Sequence, residues 1–219
     1  MTKNEIRARI EEIGIIPGIR VPSAADARFA AEAVNRGGIS IAEITMTVPE
    51  AMEVIADLTR NIPEMIVGAG TVLDIETAKR CLDAGAKFLT SPGLVLEVVE
   101  FAVKNDVIIF PGALTPTEVI TAWNAGADFV KIYPCAPVGG DSYIRALKAP
   151  LPHVPLIASG GVNQQTASNF ILAGGTALGI GVELIPKEDV QLRNDHRILE
   201  LARRFTRMVK TARSRKPAQ

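Results

Sequence analysis

Histidine and cysteine are scarce in this 219-residue chain, which carries two of each. His153 and His196 lie in different segments, and Cys81 and Cys135 form no CxxC pair. The clustered ligands of a catalytic zinc site are therefore missing, and no metal is expected. The two thiols are expected to be free, as in a reducing compartment. An excess of one charge is missing too: 24 Lys and Arg balance 24 Asp and Glu, leaving no global field to hold nucleic acid or an anionic membrane. No window approaches the roughly 20 apolar residues of a membrane span. Residues 1–12 are charged and amphipathic, without the apolar run of a secretory signal. A cytoplasmic protein is expected, with no nucleic-acid or membrane partner, that binds any anionic small molecule through local groups.

What is present is a core-forming composition, 47% hydrophobic and 22% charged residues, over a length that suits one domain, 1–219. Short β-branched runs at 15–21, 39–46, 65–72, 87–91, 107–112, 128–134, 155–159 and 177–181 alternate with segments of helical period. Those helical segments are 24–36, 50–60, 75–84, 95–105, 116–125, 140–148, 164–173 and 198–211. Eight βα pairs predict a (β/α)8 TIM barrel, with an additional amphipathic helix over 3–13 placed to cap its floor. An open, doubly wound sheet is the alternative. The barrel is preferred because no Gly-x-Gly-x-x-Gly turn follows the first strand. Helix exits at Gly37-Gly38, Gly85, Gly126 and Gly174-Gly175 place glycine where a left-handed cap is needed.

Lys131 sits in the middle of an otherwise apolar strand, 128–134, where alternation puts it on one face with Phe129 and Tyr133. Inside a barrel such an amine loses hydration, which favours its neutral, nucleophilic form. A salt-bridged strand-end lysine is the plainer reading. Period-two spacing likewise aligns Glu43, Thr45 and Thr47, so Glu43 can share the interior with Lys131, either as a proton shuttle or as an ion-pair partner. Gly68-Ala69-Gly70-Thr71 lets backbone approach a ligand at a strand end. Arg20, ending the first strand with inward parity, can fork onto a carboxylate or lie on the surface. Ser159-Gly160-Gly161-Val162 follows the seventh strand, where barrels often hold phosphate on backbone amides; a plain turn is the alternative.

Taken in order, Glu43-Ile44-Thr45, Gly68-Ala69-Gly70-Thr71-Val72, Ser91-Pro92, Phe110-Pro111-Gly112, Lys131-Ile132-Tyr133-Pro134 and Ser159-Gly160-Gly161-Val162 form a pattern. It resembles the 2-keto-3-deoxy-6-phosphogluconate and 4-hydroxy-2-oxoglutarate aldolase family, over residues 15 to 186. The resemblance implies a class I aldolase, free of metal and cofactor, in which Lys131 forms an imine with pyruvate and Glu43 is the general acid/base. It also implies that Thr71 and Pro92 hold the pyruvate portion and that the chain assembles as a homotrimer. Two positions depart from the pattern. Thr47 stands where many members carry an arginine that grips the substrate carboxylate, which passes that grip to Arg20. After the eighth strand Gly181-Val182-Glu183 replaces a Gly-Ser that contacts phosphate; the amides of Gly160, Gly161, Gly181 and Val182 suffice only if Glu183 points away. An unphosphorylated keto acid is then the alternative substrate. An isomerase or synthase with a merely ion-pairing Lys131, or a non-catalytic sugar-acid-binding barrel, are the competing functions. The basic stretch 203–216 is expected to be the last helix, complementing its own dipole, followed by a disordered tail over 213–219.

Overall fold

Each strand is too short to bury much surface alone, and pairing in parallel with helical crossovers on the outside lets both of its faces be covered. A computed structural model of the chain, describing residues 1–215, takes that form. Helix α1 (Lys3–Ile13) leads into β1 (Ile15–Ile19), α2 (Ala24–Arg36), β2 (Ile41–Thr45), α3 (Ala51–Asn61), β3 (Ile66–Gly70) and α4 (Ile75–Asp83). There follow β4 (Phe88–Thr90), α5 (Leu96–Lys104), β5 (Ile108–Phe110), β6 (Gly112–Ala113), α6 (Pro116–Asn124) and β7 (Val130–Ile132). The chain continues through α7 (Asp141–Lys148), β8 (Leu156–Ser159), α8 (Ala167–Leu172), β9 (Ala177–Ile180), α9 (Lys187–Gln191) and α10 (Asp195–Ser214).

The strands lie in the order β5-β4-β3-β2-β1-β9-β8-β7-β6, every pair parallel. The two ends of that order, β5 and β6, are separated only by Pro111, which lacks an amide hydrogen and interrupts the strand expected over 107–112. The nine segments are thus the eight strands of a (β/α)8 barrel, closed where the sequence is continuous.

Local chemistry places the helices. Thr2 with Glu5, and Thr115 with Glu118, form capping boxes at the starts of α1 and α6, and Ser23 and Asp74 cap α2 and α4. At the exit of α2, Gly38 (φ 93°) donates its amide to Asn35 while Ile39 reaches back to Val34. The same pair of bonds recurs at Gly85, Gly126 and Gly174, as the glycine spacing predicts.

The barrel floor is aromatic. Phe88 and Phe110 stack at 4.8 Å, Phe129 meets Phe110 edge-on at 6.0 Å, and all three are buried; each such ring stabilises the fold by roughly 1.5–3 kcal/mol through burial. Helix α1 closes this end: Ile6 and Ile10 are buried, Arg7 lies 5.5 Å over the Phe129 ring, and Lys3 pairs with the buried Asp128 at 3.1 Å. Asp128 also accepts a bond from the Ile109 amide at 3.0 Å, fixing the start of β7 against β5.

Two features differ from the sequence-based expectation. Helix α9, with a 3-10 turn at Ala136–Val138, has no counterpart there, because three to five residues are too few to show a 3.6-residue period. The last helix extends through Ser214 rather than giving way to a tail at residue 213. The reason is that Arg213 finds acceptors: it donates to the carbonyls of Glu11 and Glu12, each at 2.6 Å, and of Thr176 at 2.9 Å. The rest of the expected tail, 216–219, lies outside the described residues. Among the described residues, no helix is long and apolar enough to cross a membrane.

Candidate active site

Opposite the aromatic floor, the C-terminal ends of the strands surround a cavity of about 500 Å³. Arg20, Glu43, Thr71, Pro92, Lys131, Gly160, Gly161, Gly181 and Val182 all line it, and so does Glu183.

In β7, Val130 and Ile132 are buried, so alternation turns Lys131 to the other face, into the cavity with Tyr133. Only 13% of the Lys131 side chain is exposed, and its Nζ stands 3.7 Å from Glu43 Oε1 and 5.7 Å from the centre of the Tyr133 ring. The first distance is an ion-pair contact longer than a hydrogen bond, so the amine is held near the carboxylate without being locked onto it.

Glu43 owes its place to glycine. Its Cα partners on the neighbouring strands are Gly18 and Gly68, and a Cβ on Gly70 would overlap its carboxylate. The space that the absent side chain of Gly70 leaves holds the carboxylate, 7% exposed, on the inner wall.

Beside it, Thr45 donates its hydroxyl to the Ile19 carbonyl at 3.0 Å and stands 2.8 Å from the Thr47 hydroxyl. Thr47 itself lies outside the main cavity. It lines a second hollow, of about 370 Å³, with Val21, Lys187 and Gln191. Arg20 lines both hollows and donates from Nη2 to Thr71 Oγ1 at 3.3 Å. Thr71 adopts φ 62°, a left-handed conformation that is rare for a β-branched residue and costs of order 1–3 kcal/mol. That backbone turn is what aims its hydroxyl back toward the mouth.

The loop after β8 requires its glycines. At φ 91° Gly161 sits so close to Ala136 that a Cβ would overlap that methyl group. The Gly160 carbonyl accepts the Ala136 amide and the Gly161 carbonyl accepts the Thr166 hydroxyl, both at 2.9 Å, which fixes the shape of the turn. Glu183, exposed, joins this rim.

Neither cysteine is engaged in the site. Burial pushes the Cys135 thiol up to about 11, with the Asp141 charge adding to it, and burial pushes Cys81 up to about 12. Among the described residues no three His, Cys, Asp or Glu side chains converge as a metal site would require.

The structure thus brings every catalytic and substrate-binding candidate except Thr47 to one cavity, while Gly68 and Gly70, read as a backbone approach to the ligand, lie behind it against Phe88 and Glu43. Sequence reasoning passed over Asn163, Gly18 and Gly179, which also line the cavity. Gly18 and Gly179 share the inward parity of their strands and could have been read as Gly68 and Gly70 were. Asn163 simply continues the Ser159-Gly160-Gly161-Val162 run, its side chain accepting the amides of Gln165 and Thr166 at 2.9 and 3.0 Å.

Known proteins share this sequence and geometry. The family model described as "Aldolase: KDPG and KHG aldolase" matches residues 6–201. The chain is 30% identical to the 2-dehydro-3-deoxy-phosphogluconate aldolase of Pseudomonas aeruginosa, over 80% of each chain. It is 28% identical to the KHG/KDPG aldolase of Escherichia coli K12, over 86% of this chain and 89% of that one. A crystal structure of KDPG aldolase from Legionella pneumophila, with pyruvate captured as a covalent carbinolamine intermediate, superposes with a TM-score of 0.83 at 28% identity. It covers 90% of this chain and 96% of its own.

Proposed function

Because this chain belongs to the KDPG and KHG aldolase family, we propose that it is a class I aldolase using Lys131 as its imine-forming nucleophile. It would reversibly cleave a 2-keto-3-deoxy sugar acid, such as 2-keto-3-deoxy-6-phosphogluconate or 4-hydroxy-2-oxoglutarate, into pyruvate and an aldehyde. The observation that carries this reading is the Lys131–Glu43 pair at 3.7 Å on the inner wall of a closed barrel.

Lys131 Nζ attacks the C2 ketone to give a carbinolamine, which loses water to form a protonated imine. Loss of the C4 hydroxyl proton then lets the C3–C4 bond break, its electron pair moving into the imine to leave a neutral enamine and the aldehyde. Protonation at C3 and hydrolysis of the imine release pyruvate and restore the amine. Glu43, within ion-pair reach of Nζ, moves the protons. The imine is the electron sink, so no cofactor is needed. Thr71 and Pro92 line the wall that would receive the pyruvate portion, and Arg20, tied to the Thr71 hydroxyl, would present its guanidinium to the carboxylate. Gly160, Gly161, Gly181 and Val182, at the mouth, would meet the far end of the substrate through backbone amides, with Thr47 at a distance through Thr45. A homotrimer, resting on the family resemblance alone, completes the proposal, and the cytoplasm is its proposed location.

Incubation with pyruvate and borohydride, followed by peptide mass spectrometry, tests it. A reduced adduct on Lys131, absent from Lys131→Arg, is expected; an unmodified Lys131 alongside turnover of a keto acid would refute the mechanism.

A further inference from the structure

Two carboxylates, Glu43 and Glu183, and two cations, Arg20 and Lys131, line the cavity. They are not arranged symmetrically. Lys131 stands in ion-pair contact with Glu43 on the inner wall and Arg20 reaches Thr71, whereas Glu183 stands on the rim among Gly160, Gly161 and Gly181. Among the described residues Glu183 makes no ion pair. Whatever portion of a substrate projects from the Lys131 imine toward these glycines therefore meets an uncompensated negative charge.

We propose that Glu183 sets the specificity of this mouth, disfavouring a phosphorylated far end and selecting 2-keto-3-deoxy acids whose far end is uncharged and hydroxyl-bearing. The inference rests on the aldolase reading and narrows its substrate class, ranking keto acids with an uncharged far end above the phosphate- and carboxylate-ended examples given there. A phosphate dianion seated on the glycine amides would be repelled by a carboxylate on the same rim, twice as strongly as a singly charged group. A hydroxyl does the reverse, since a carboxylate only accepts hydrogen bonds and a sugar hydroxyl can donate one. The glycine amides still offer donors to the hydroxyl oxygens. The backbone of the turn thus suits either kind of far end, and the side chain at 183 decides between them.

The test uses the condensation direction, with pyruvate and either D-glyceraldehyde or D-glyceraldehyde 3-phosphate. The readout is the ratio of kcat/KM for the two aldehydes, in wild type, Glu183→Gln and Glu183→Asp. Neutralising the charge in Glu183→Gln is expected to shift the ratio toward the phosphorylated aldehyde by about tenfold or more. Glu183→Asp, which keeps the charge, should stay within about threefold of wild type. At roughly 1 M salt, where the screening length falls to about 3 Å, the wild-type ratio should move in the same direction as the Gln variant. A ratio unmoved in Glu183→Gln, or moved equally by Gln and Asp, overturns the inference while a pyruvate adduct on Lys131 leaves the aldolase reading standing. No adduct in the wild type overturns both.

Discussion

Gly70 and Glu43 are fitted to one another across the β2–β3 ladder: a Cβ on the glycine would overlap Oε1, the same carboxylate oxygen that stands 3.7 Å from Lys131 Nζ. The distance between the acid and the amine is therefore set by the absence of a side chain on a third strand. Gly68 stands in the same relation to the barrel floor, where a Cβ on it would overlap the Phe88 ring.

Gly70→Ala should expose that dependence. The carboxylate must swing away from Lys131, so kcat for aldol cleavage is expected to fall by at least tenfold, with a stability loss of about 1–3 kcal/mol from overpacking. Steady-state kinetics and thermal melts on the same preparation check this. Full activity in Gly70→Ala would mean that the position of Glu43 is unimportant.

Glu43→Gln keeps the shape of the inner wall and removes the proton carrier. Turnover is expected to drop by about 10²–10⁴. Borohydride should still trap pyruvate on Lys131, only more slowly, because the nucleophile is untouched. Single-turnover trapping followed by mass spectrometry distinguishes this from loss of the site.

Glu118 supplies a pH signature in the fold. Hydrogen bonds from the Leu114 and Thr115 amides, with the Thr115 hydroxyl, hold its carboxyl below the ordinary glutamate value of 4.5. A depressed folded value means that the stabilisation is complete above about 4.5 and is lost as pH falls through the folded value. These bonds pin the segment just after β6, which pairs Gly112 with Lys131. The Tm difference between wild type and Glu118→Gln should accordingly be greatest at neutral pH and close on acidification. A difference that stays constant from pH 7 to about pH 3 counts against the assignment.

Arg213 ties the last helix to the first. Replacing it with methionine strands the Glu11, Glu12 and Thr176 carbonyls. Hydrogen bonds from a charged donor are worth about 1.5–3 kcal/mol each before exposure discounts them. A loss of several degrees in Tm is expected, with the pyruvate adduct on Lys131 still forming because the clamp lies at the opposite end of the barrel. An unchanged Tm would show that the end of α10 is dispensable.

Much of this was legible one residue at a time. Helices α1 and α2 have the bounds that their apolar periodicity and caps predict, because 11 and 13 residues are enough to repeat a 3.6-residue pattern several times. Lys131 and Glu43 stood out because a charged residue in a β-branched run must face either a cavity or a partner, and here it faces both. Thr47 went astray by one step: it shares the parity of Glu43 and Thr45, but β2 ends at Thr45 and the alternation does not carry past a strand's end. Arg213 was misplaced for a related reason. A basic run reads as solvated until three carbonyls from elsewhere in the chain are brought against it.

The order of residues along the chain was enough to determine the eight βα units, the caps that start the helices and the glycines that end them, and which side of each strand faces inward. All of these follow from interactions between residues a few positions apart. Only the closed barrel decided that Glu43 from β2 stands beside Lys131 from β7, that Arg20 reaches Thr71, and that Glu183 joins the glycine rim. Those distances depend on how far each strand is staggered against the next and on where glycine leaves room, and both are set only when the whole ring packs at once.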